Sequence, residues 1–400
     1  MDLRLRSLLG LISLPLGLLG CPDSGEGDDE ANTAVDAGSS SEDGASESAG
    51  EFGTDGSSSD ATSMTDTTSA DTSTSDATDS SSTDATSSDT LDTTDTTDTT
   101  DTTDTTDTGL LDCVPVDPPV PPADCAAANI LLAPEFANDY ECFDLGSLPG
   151  VPVNWGGLTV EIDDPYTLLI GGSANTAAGK LYSVEITRDA SCHVTGWAGS
   201  PIVEFAEAAY NDGGVTYGPA DVLFLARWPN NELGLQELGS IATDKIIPLG
   251  PLGVTSSPGG LNFVPPGFAG EGQLKLVAWP GGQWYSIELV DDGMGTFDIA
   301  SATYATTIQG GPEGFVHISG QNPGFAVDGL LVSEWSAGNL AAYDADANGD
   351  PVVASRRPFV TGLTGAEGAF LDPYSGDFLF TTFGGGNRLV AIRGFTPNPQ

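Results

Sequence analysis

A short apolar run closed by an aromatic residue, or by a stand-in for one, returns five times along this chain. The copies are LLIGGS from Leu168, LFLARW from Leu223, LKLVAW from Leu274, LLVSEW from Leu330 and FLFTTF from Phe378. Each follows a second recurring segment: GGLTVEI from Gly156, GGVTYGP from Gly213, GGLNFVP from Gly259, EGFVHIS from Glu313 and EGAFLDP from Glu367. These landmarks are 57, 46, 54 and 54 residues apart, and each pair is followed by further apolar runs such as QWYSIEL, NLAAYDA or RLVAIRG. Three or four short strands per unit, joined by Gly, Pro, Asp and Asn turns at a period near fifty, are what a β-propeller blade requires. A blade can bury its faces only against neighbouring blades, so the same apolar columns must come back each time. The expected fold is therefore all-β, a propeller of five to six blades with five repeats countable. A sixth blade would have to be assembled from residues 113–155 and a C-terminal strand. Trp228, Trp279, Trp335 and Phe383 share one column, and an aromatic that returns once per blade is expected to pack between blades rather than to cage a ligand.

The segments GPEGF and GAEGAFLDPYSGDFLFTTFGGGNRL, together with the strand order before them, resemble the six-bladed propellers of the NHL-repeat, strictosidine synthase-like and gluconolactonase-like group. The resemblance spans roughly residues 150–395, and its motifs mostly specify blade turns. The position that opens each inner strand reads Gly156, Gly213, Gly259, Glu313, Glu367, so two adjacent copies exchange glycine for glutamate. In gluconolactonase-like propellers a Glu of an EG motif is a calcium ligand in the central channel. The resemblance thus implies Ca2+ as a cofactor, with Glu313 and Glu367 among its ligands; the asparagine and aspartate that complete that family's set have no counterpart in a motif here. The alternative is that both glutamates cap strands or pair with Arg227 or Arg388.

A second calcium candidate is DADANGD, with Asp344, Asp346, Asn348 and Asp350 at alternate positions and Gly349 to permit a sharp turn. Its twelfth position is Ser355 rather than a bidentate Glu, and Asn-Gly between two strands is also a hairpin signal. DPYSGD from Asp372 reads as a plain turn, as does the glycine run in TTFGGGNRL. Nucleophilic catalysis finds no GxSxG elbow, and the domain's histidines are His193 and His317. Ser333 and Glu334 occupy a variable column that suits a solvent-facing position or a pocket wall. No catalytic residue is assigned.

The N-terminus addresses the compartment. Arg4 and Arg6 precede an apolar run from Leu8 to Leu19, long enough for a signal h-region and short for a bilayer span. It ends in LLGC, which resembles the bacterial lipoprotein signal, so residues 1–20 are expected to be removed and Cys21 lipidated. Buried acyl chains contribute ~0.8 kcal/mol per methylene, and two or more hold a protein firmly on a membrane. Residues 21–112 read as a disordered tether: from residue 22 they carry 25 Asp and Glu and no Lys or Arg, and DTT repeats without a break from Asp92 to Thr106. A flexible chain of that length spans about 50 to 60 Å root mean square, and like charges extend it. From residue 113 onward 32 Asp plus Glu face 9 Lys plus Arg, which argues against nucleic acid and anionic headgroups as partners.

With Cys21 set aside, Cys113, Cys125, Cys142 and Cys192 are four cysteines in an oxidising setting, allowing two disulfides in three pairings. Three of them fall at the start of the 113–400 domain, where little core is available and a staple is most useful. The expectation is a monomeric, lipid-anchored bacterial envelope protein, at the outer membrane or cell surface, whose propeller binds an extracellular protein, glycan or small molecule. The alternative is a calcium-dependent, lactonase-like hydrolase with channel carboxylates.

Overall fold

The computed structural model describes residues 113–115 and 122–399. The signal segment, Cys21 and the tether lie outside the described residues. Five antiparallel sheets form a five-bladed β-propeller. Blade 1 is built from Leu158–Glu161, Asp164–Gly172, Lys180–Arg188 and Val203–Glu207, with Val194–Trp197 on the far half of its third strand. Blade 2 runs Asn211–Tyr217, Leu223–Arg227, Glu232–Gln236, Lys245–Pro248; blade 3 runs Pro258–Phe263, Leu274–Ala278, Gln283–Asp291, Phe297–Thr307. Blade 4 runs Pro312–Ile318, Gly329–Glu334, Asn339–Asp344, Arg357–Thr361, and blade 5 begins Ala366–Leu371, Phe378–Thr382, Leu389–Arg393. Second strands such as Leu223–Arg227 and Leu274–Ala278 are buried along their whole length. A strand covered on both faces reads as a nearly continuous apolar run, which is why these copies stand out in the sequence.

The core is divided among the blade interfaces. One apolar cluster sits between blades 1 and 2 around Leu181, Val215 and Leu225, and one between blades 2 and 3 around Phe224, Leu261 and Leu276. Val277, Trp284, Phe315 and Leu330 fill the next interface; Val316, Leu331, Phe378 and Phe380 the fourth. Trp155, Leu158, Leu379 and Ala391 close the ring between blades 5 and 1. The inner strands crowd together at the axis. A Cβ added at Gly260 would lie 2.2 Å from the Glu313 carbonyl oxygen, and one at Gly314 would lie 2.5 Å from the Ala369 nitrogen. The returning glycine is therefore a requirement of close approach, not a turn signal.

No sixth blade forms, because the N-terminal segment completes blades 4 and 5 instead. Glu141–Gly146 pairs antiparallel with Leu389–Arg393, Ala123–Asp124 pairs with Glu141–Gly146, and Leu131–Leu132 adds to the outer edge of blade 4. Phe136 and Tyr140 carry this segment into the blade 4 core against Phe359, Phe325 and Phe395; fully burying a side chain of that size contributes roughly 1.5 to 3 kcal/mol. Of the three pairings open to the cysteines, the structure has Cys113–Cys192 and Cys125–Cys142. The first ties the start of the domain to a blade 1 turn. That turn is also held by blade 5: buried Asp372 pairs with Arg188, and buried Asp377 accepts from His193 Nδ1 at 2.7 Å and from the Val194 N–H at 2.7 Å. The DPYSGD stretch is thus a turn that also latches the last blade to the first. No helix among the described residues is long and apolar enough to cross a membrane.

Candidate functional site

At the start of the inner strands of blades 4 and 5 the pairing register slips, between Pro312 and Phe315 and between Ala366 and Ala369. A bulge of this kind re-aims the extra side chain, and here the residues within it are Glu313 and Glu367. The inner strand of blade 2 slips likewise between Asn211, opposite Arg227, and Val215, opposite Leu225, and Asp212 falls inside that bulge. The result is a group of three carboxyls from three blades, Asp212, Glu313 and Glu367, whose oxygens lie within 4.8 Å of one another. All three are 1 to 4% exposed. The Glu313 carboxyl lies against Gly259, where an added Cβ would come 2.5 Å from Oε2, so the glycine of blade 3 makes room for the glutamate of blade 4.

Asp212 escaped the sequence reading because it stands one position ahead of the column that holds the two glutamates. Strict strand alternation would send it to the opposite face; the bulge cancels that. NDGGV is the repeat in which an acid directly precedes the glycine pair, and that was the available signal. Asn175, left-handed at φ 66°, adds its side chain to Asp212, and its N–H donates to the Asn211 carbonyl at 2.9 Å.

The carboxyls face a cavity of about 200 Å3 whose remaining walls are Asn175, Trp228, Trp279, Trp335 and Phe383. The aromatic column therefore does two things. Its rings pack edge to face across blades, Trp228 on Trp279 at 5.7 Å and Trp279 on Trp335 at 6.0 Å, as expected. They also wall a cavity, which the expectation of inter-blade packing had set aside. Each ring directly follows a second strand, and those strands end where the inner strands begin, which brings rings and carboxyls to one end of the channel. Trp335 is 37% exposed while the carboxyls are buried, so the rings form the mouth and the acids the floor.

Apart from the contact of Asp212 with Glu367, the oxygens Asp212 Oδ1, Glu313 Oε2 and both of Glu367 have no hydrogen-bond partner. Burial drives the Asp212 carboxyl up to about 7, against hydrogen bonds from Glu367, Asn175 and the Gly213 N–H that favour its charge. Burial also lifts Glu313 well above the usual carboxylate range, with Asp212 adding to it; for Glu367 burial comes first, then the charges of Glu313 and Asp212. The Asp212–Glu367 contact is a hydrogen bond only when one of the two holds a proton. Neither arginine considered earlier serves as counter-ion, since Arg227 pairs with Glu232 at 3.1 Å and Arg388 with Asp144. Buried carboxyls with no cation on the lining are tolerated as acids, or as carboxylates around a cation supplied from outside.

The residues of DADANGD serve the fold. Asp346 Oδ1 accepts the N–H groups of Asn348 and Asp350 at 2.8 and 3.0 Å, closing the turn. Asp350 Oδ1 accepts from buried Lys275 at 2.6 Å and from Trp284 Nε1 at 2.9 Å, and Asp344 lies 3.6 Å from Arg357. Among the described residues the one cluster of three or more acidic, His or Cys side chains with metal-holding spacing is that of Asp212, Glu313 and Glu367. Ser333 and Glu334 face neither solvent nor the cavity. Both are fully buried, and Glu334 accepts from Arg356 and from the Tyr343 hydroxyl at 2.8 Å.

No family model and no curated protein matches this chain. Among solved structures it is similar to an auxiliary nutrient binding protein of Bacteroides thetaiotaomicron, at 10% identity over 60% of this chain and 58% of that one, with a TM-score of 0.36. It is also similar to a gluconolactonase of Xanthomonas campestris, at 14% identity over 72% of this chain and 97% of that one, with a TM-score of 0.37. A further likeness is to the PQQ domain of a pyranose dehydrogenase of Coprinopsis cinerea, at 10% identity over 70% and 100% of the two chains, with a TM-score of 0.36. What those proteins bind or convert stays with them.

Proposed function

We propose that this protein is an exported envelope lipoprotein, anchored through Cys21, that holds a five-bladed propeller away from the membrane as a binding module with the axial cavity as its ligand site. One observation carries the reading: buried carboxyl oxygens without partners face a cavity whose other walls are aromatic. A fold that buries three acids at its axis, with no cation of its own beside them, holds them for something that arrives from outside. The two disulfides suit an oxidising compartment, and the lipoprotein-like LLGC and the acidic stretch after it suit display at a distance.

A calcium-dependent hydrolase would use the same three carboxyls, since hard oxygen ligands from several strands are what calcium takes. Thermal melting with and without CaCl2, run beside hydrolysis of model lactones, separates the two. A binding module gives a ligand-dependent rise in the melting midpoint and no turnover. Calcium-dependent lactone hydrolysis that disappears in a Glu313→Gln, Glu367→Gln double variant would sink the module reading. Protease accessibility on intact cells tests display, and full protection of the domain counts against it.

A further inference from the structure

We propose that the axial cavity binds a primary alkylammonium group, its N–H donors directed into the Asp212, Glu313 and Glu367 carboxyls and its alkyl portion held among Trp228, Trp279, Trp335 and Phe383. This rests on the cavity being a ligand site. The chemistry of the lining selects the class. Its buried unpartnered atoms are mostly acceptors: Asp212 Oδ1, Glu313 Oε2, both Glu367 oxygens and Asn175 Oδ1, against Trp279 Nε1 as the one buried unpartnered donor. No Lys, Arg or His lines the cavity, so an anion finds no counter-charge. A neutral polyol brings no charge to offset the three buried carboxylates.

The aromatic mouth decides between cations. A metal ion would be satisfied at the acid floor and would use none of the ring faces, which supply no oxygen ligands. Ring faces attract an organic cation through their quadrupoles and cover its methylenes. A quaternary ammonium would suit the rings but has no N–H to give the carboxyl oxygens. A primary ammonium on a short chain satisfies floor and mouth together. The space of about 200 Å3 is smaller than the several hundred Å3 typical of drug-sized ligands, so it fits an amine of a few carbons or the end of a longer one.

Charge state adds a second handle. Asp212, Glu313 and Glu367 are the titratable groups on the lining, and burial raises all three above the usual carboxylate range. A cation favours their charged forms and so competes with protons, and binding weakens as pH falls while the amine itself stays charged.

The test is calorimetric titration of the full-length chain in detergent at about pH 8, with tryptophan fluorescence in parallel. The probes are n-butylammonium chloride, tetramethylammonium chloride, CaCl2, glucose and sodium butyrate. The proposal expects butylammonium to saturate at one per chain and tetramethylammonium to bind at least about tenfold more weakly. Affinity should fall by at least about tenfold in Glu367→Gln and in Trp335→Ala. Trp335 is the most exposed of the rings at the mouth, and a single cooperative transition in buffer for each variant confirms that it is folded. Affinity for butylammonium should also drop by up to about tenfold per pH unit below about pH 7. Butylammonium binding that ignores both variants overturns the proposal. So does calcium binding that butylammonium does not displace, or binding of glucose or butyrate in its place; the module reading then survives and the amine assignment falls. If calcium binds, butylammonium does not and lactones are hydrolysed with calcium, both fall; if no probe binds, the amine assignment falls.

Discussion

Replacing Asp212 by Asn should change how the stability of the domain depends on pH, in a direction and by an amount that the buried cluster specifies. The Asp212 carboxyl titrates near 3.8 when solvated and at about 7 in the folded domain. Below 3.8 both states hold the proton and the group contributes no pH dependence. Between 3.8 and about 7 the unfolded chain releases the proton while the folded domain keeps it, so stability is lost as pH rises through that window. At 1.36 kcal/mol per unit the loss is on the order of 4 kcal/mol by pH 7. Because Glu313 and Glu367 are raised as well and the three share protons, the measured midpoints belong to the cluster. Asn at 212 cannot titrate. The variant should therefore melt close to the wild type near pH 4 and above it near pH 7.5, without added ligand. For a domain somewhat above 250 residues, 1 kcal/mol is worth roughly 2 to 4 °C, so the gap should open to about 10 °C. Differential scanning calorimetry of both proteins across the range is the assay. Subtracting one from the other matters, because His317, lowered to about 4 by burial, costs stability below its solvated value, while His193, raised by its bond to Asp377, loses its contribution as pH rises. Both cancel in the difference. A gap that stays constant, or that closes as pH rises, refutes the assignment of Asp212 to a desolvated, proton-holding cluster.

Removing the Cys113–Cys192 bridge, which closes 79 residues, should cost on the order of 4 kcal/mol by the chain-entropy estimate, and removing Cys125–Cys142, which closes 17, about 3; denaturant unfolding of the paired Cys→Ser variants checks both, and equal, negligible losses would contradict it. Deleting residues 22–110 should leave the melting temperature of the domain unchanged, because that stretch has few large apolar side chains to bury; a deletion that unfolds the domain defeats this. Lys275→Met should destabilise by about 3 to 5 kcal/mol, since it strands the buried Asp350 carboxylate, and a second change of Asp350 to Asn should recover part of it. Recovery of nothing would mean that Asp350 acts through the turn alone.

What the sequence determined is whatever repeats locally. Five returns of a glycine-led strand and an apolar second strand specify a propeller of at least five blades, because a blade's faces must meet the same columns in each neighbour. Even the glutamates were visible as departures within a repeated column, at Glu313 and Glu367. What repetition does not carry is any relation around the ring. The pairing of Glu141–Gly146 with Leu389–Arg393 joins the two ends of the domain, and no local pattern distinguishes that from a sixth blade. The choice among three disulfide pairings follows from the same closure. Asp212 joins Glu313 and Glu367 only because bulges offset the register of their strands, and an offset of one residue reverses a face in any reading based on alternation. The tryptophan column likewise looks the same from the sequence whether its rings meet one another or meet a ligand; the curvature of the closed ring lets them do both, by turning the end of every second strand toward one axis.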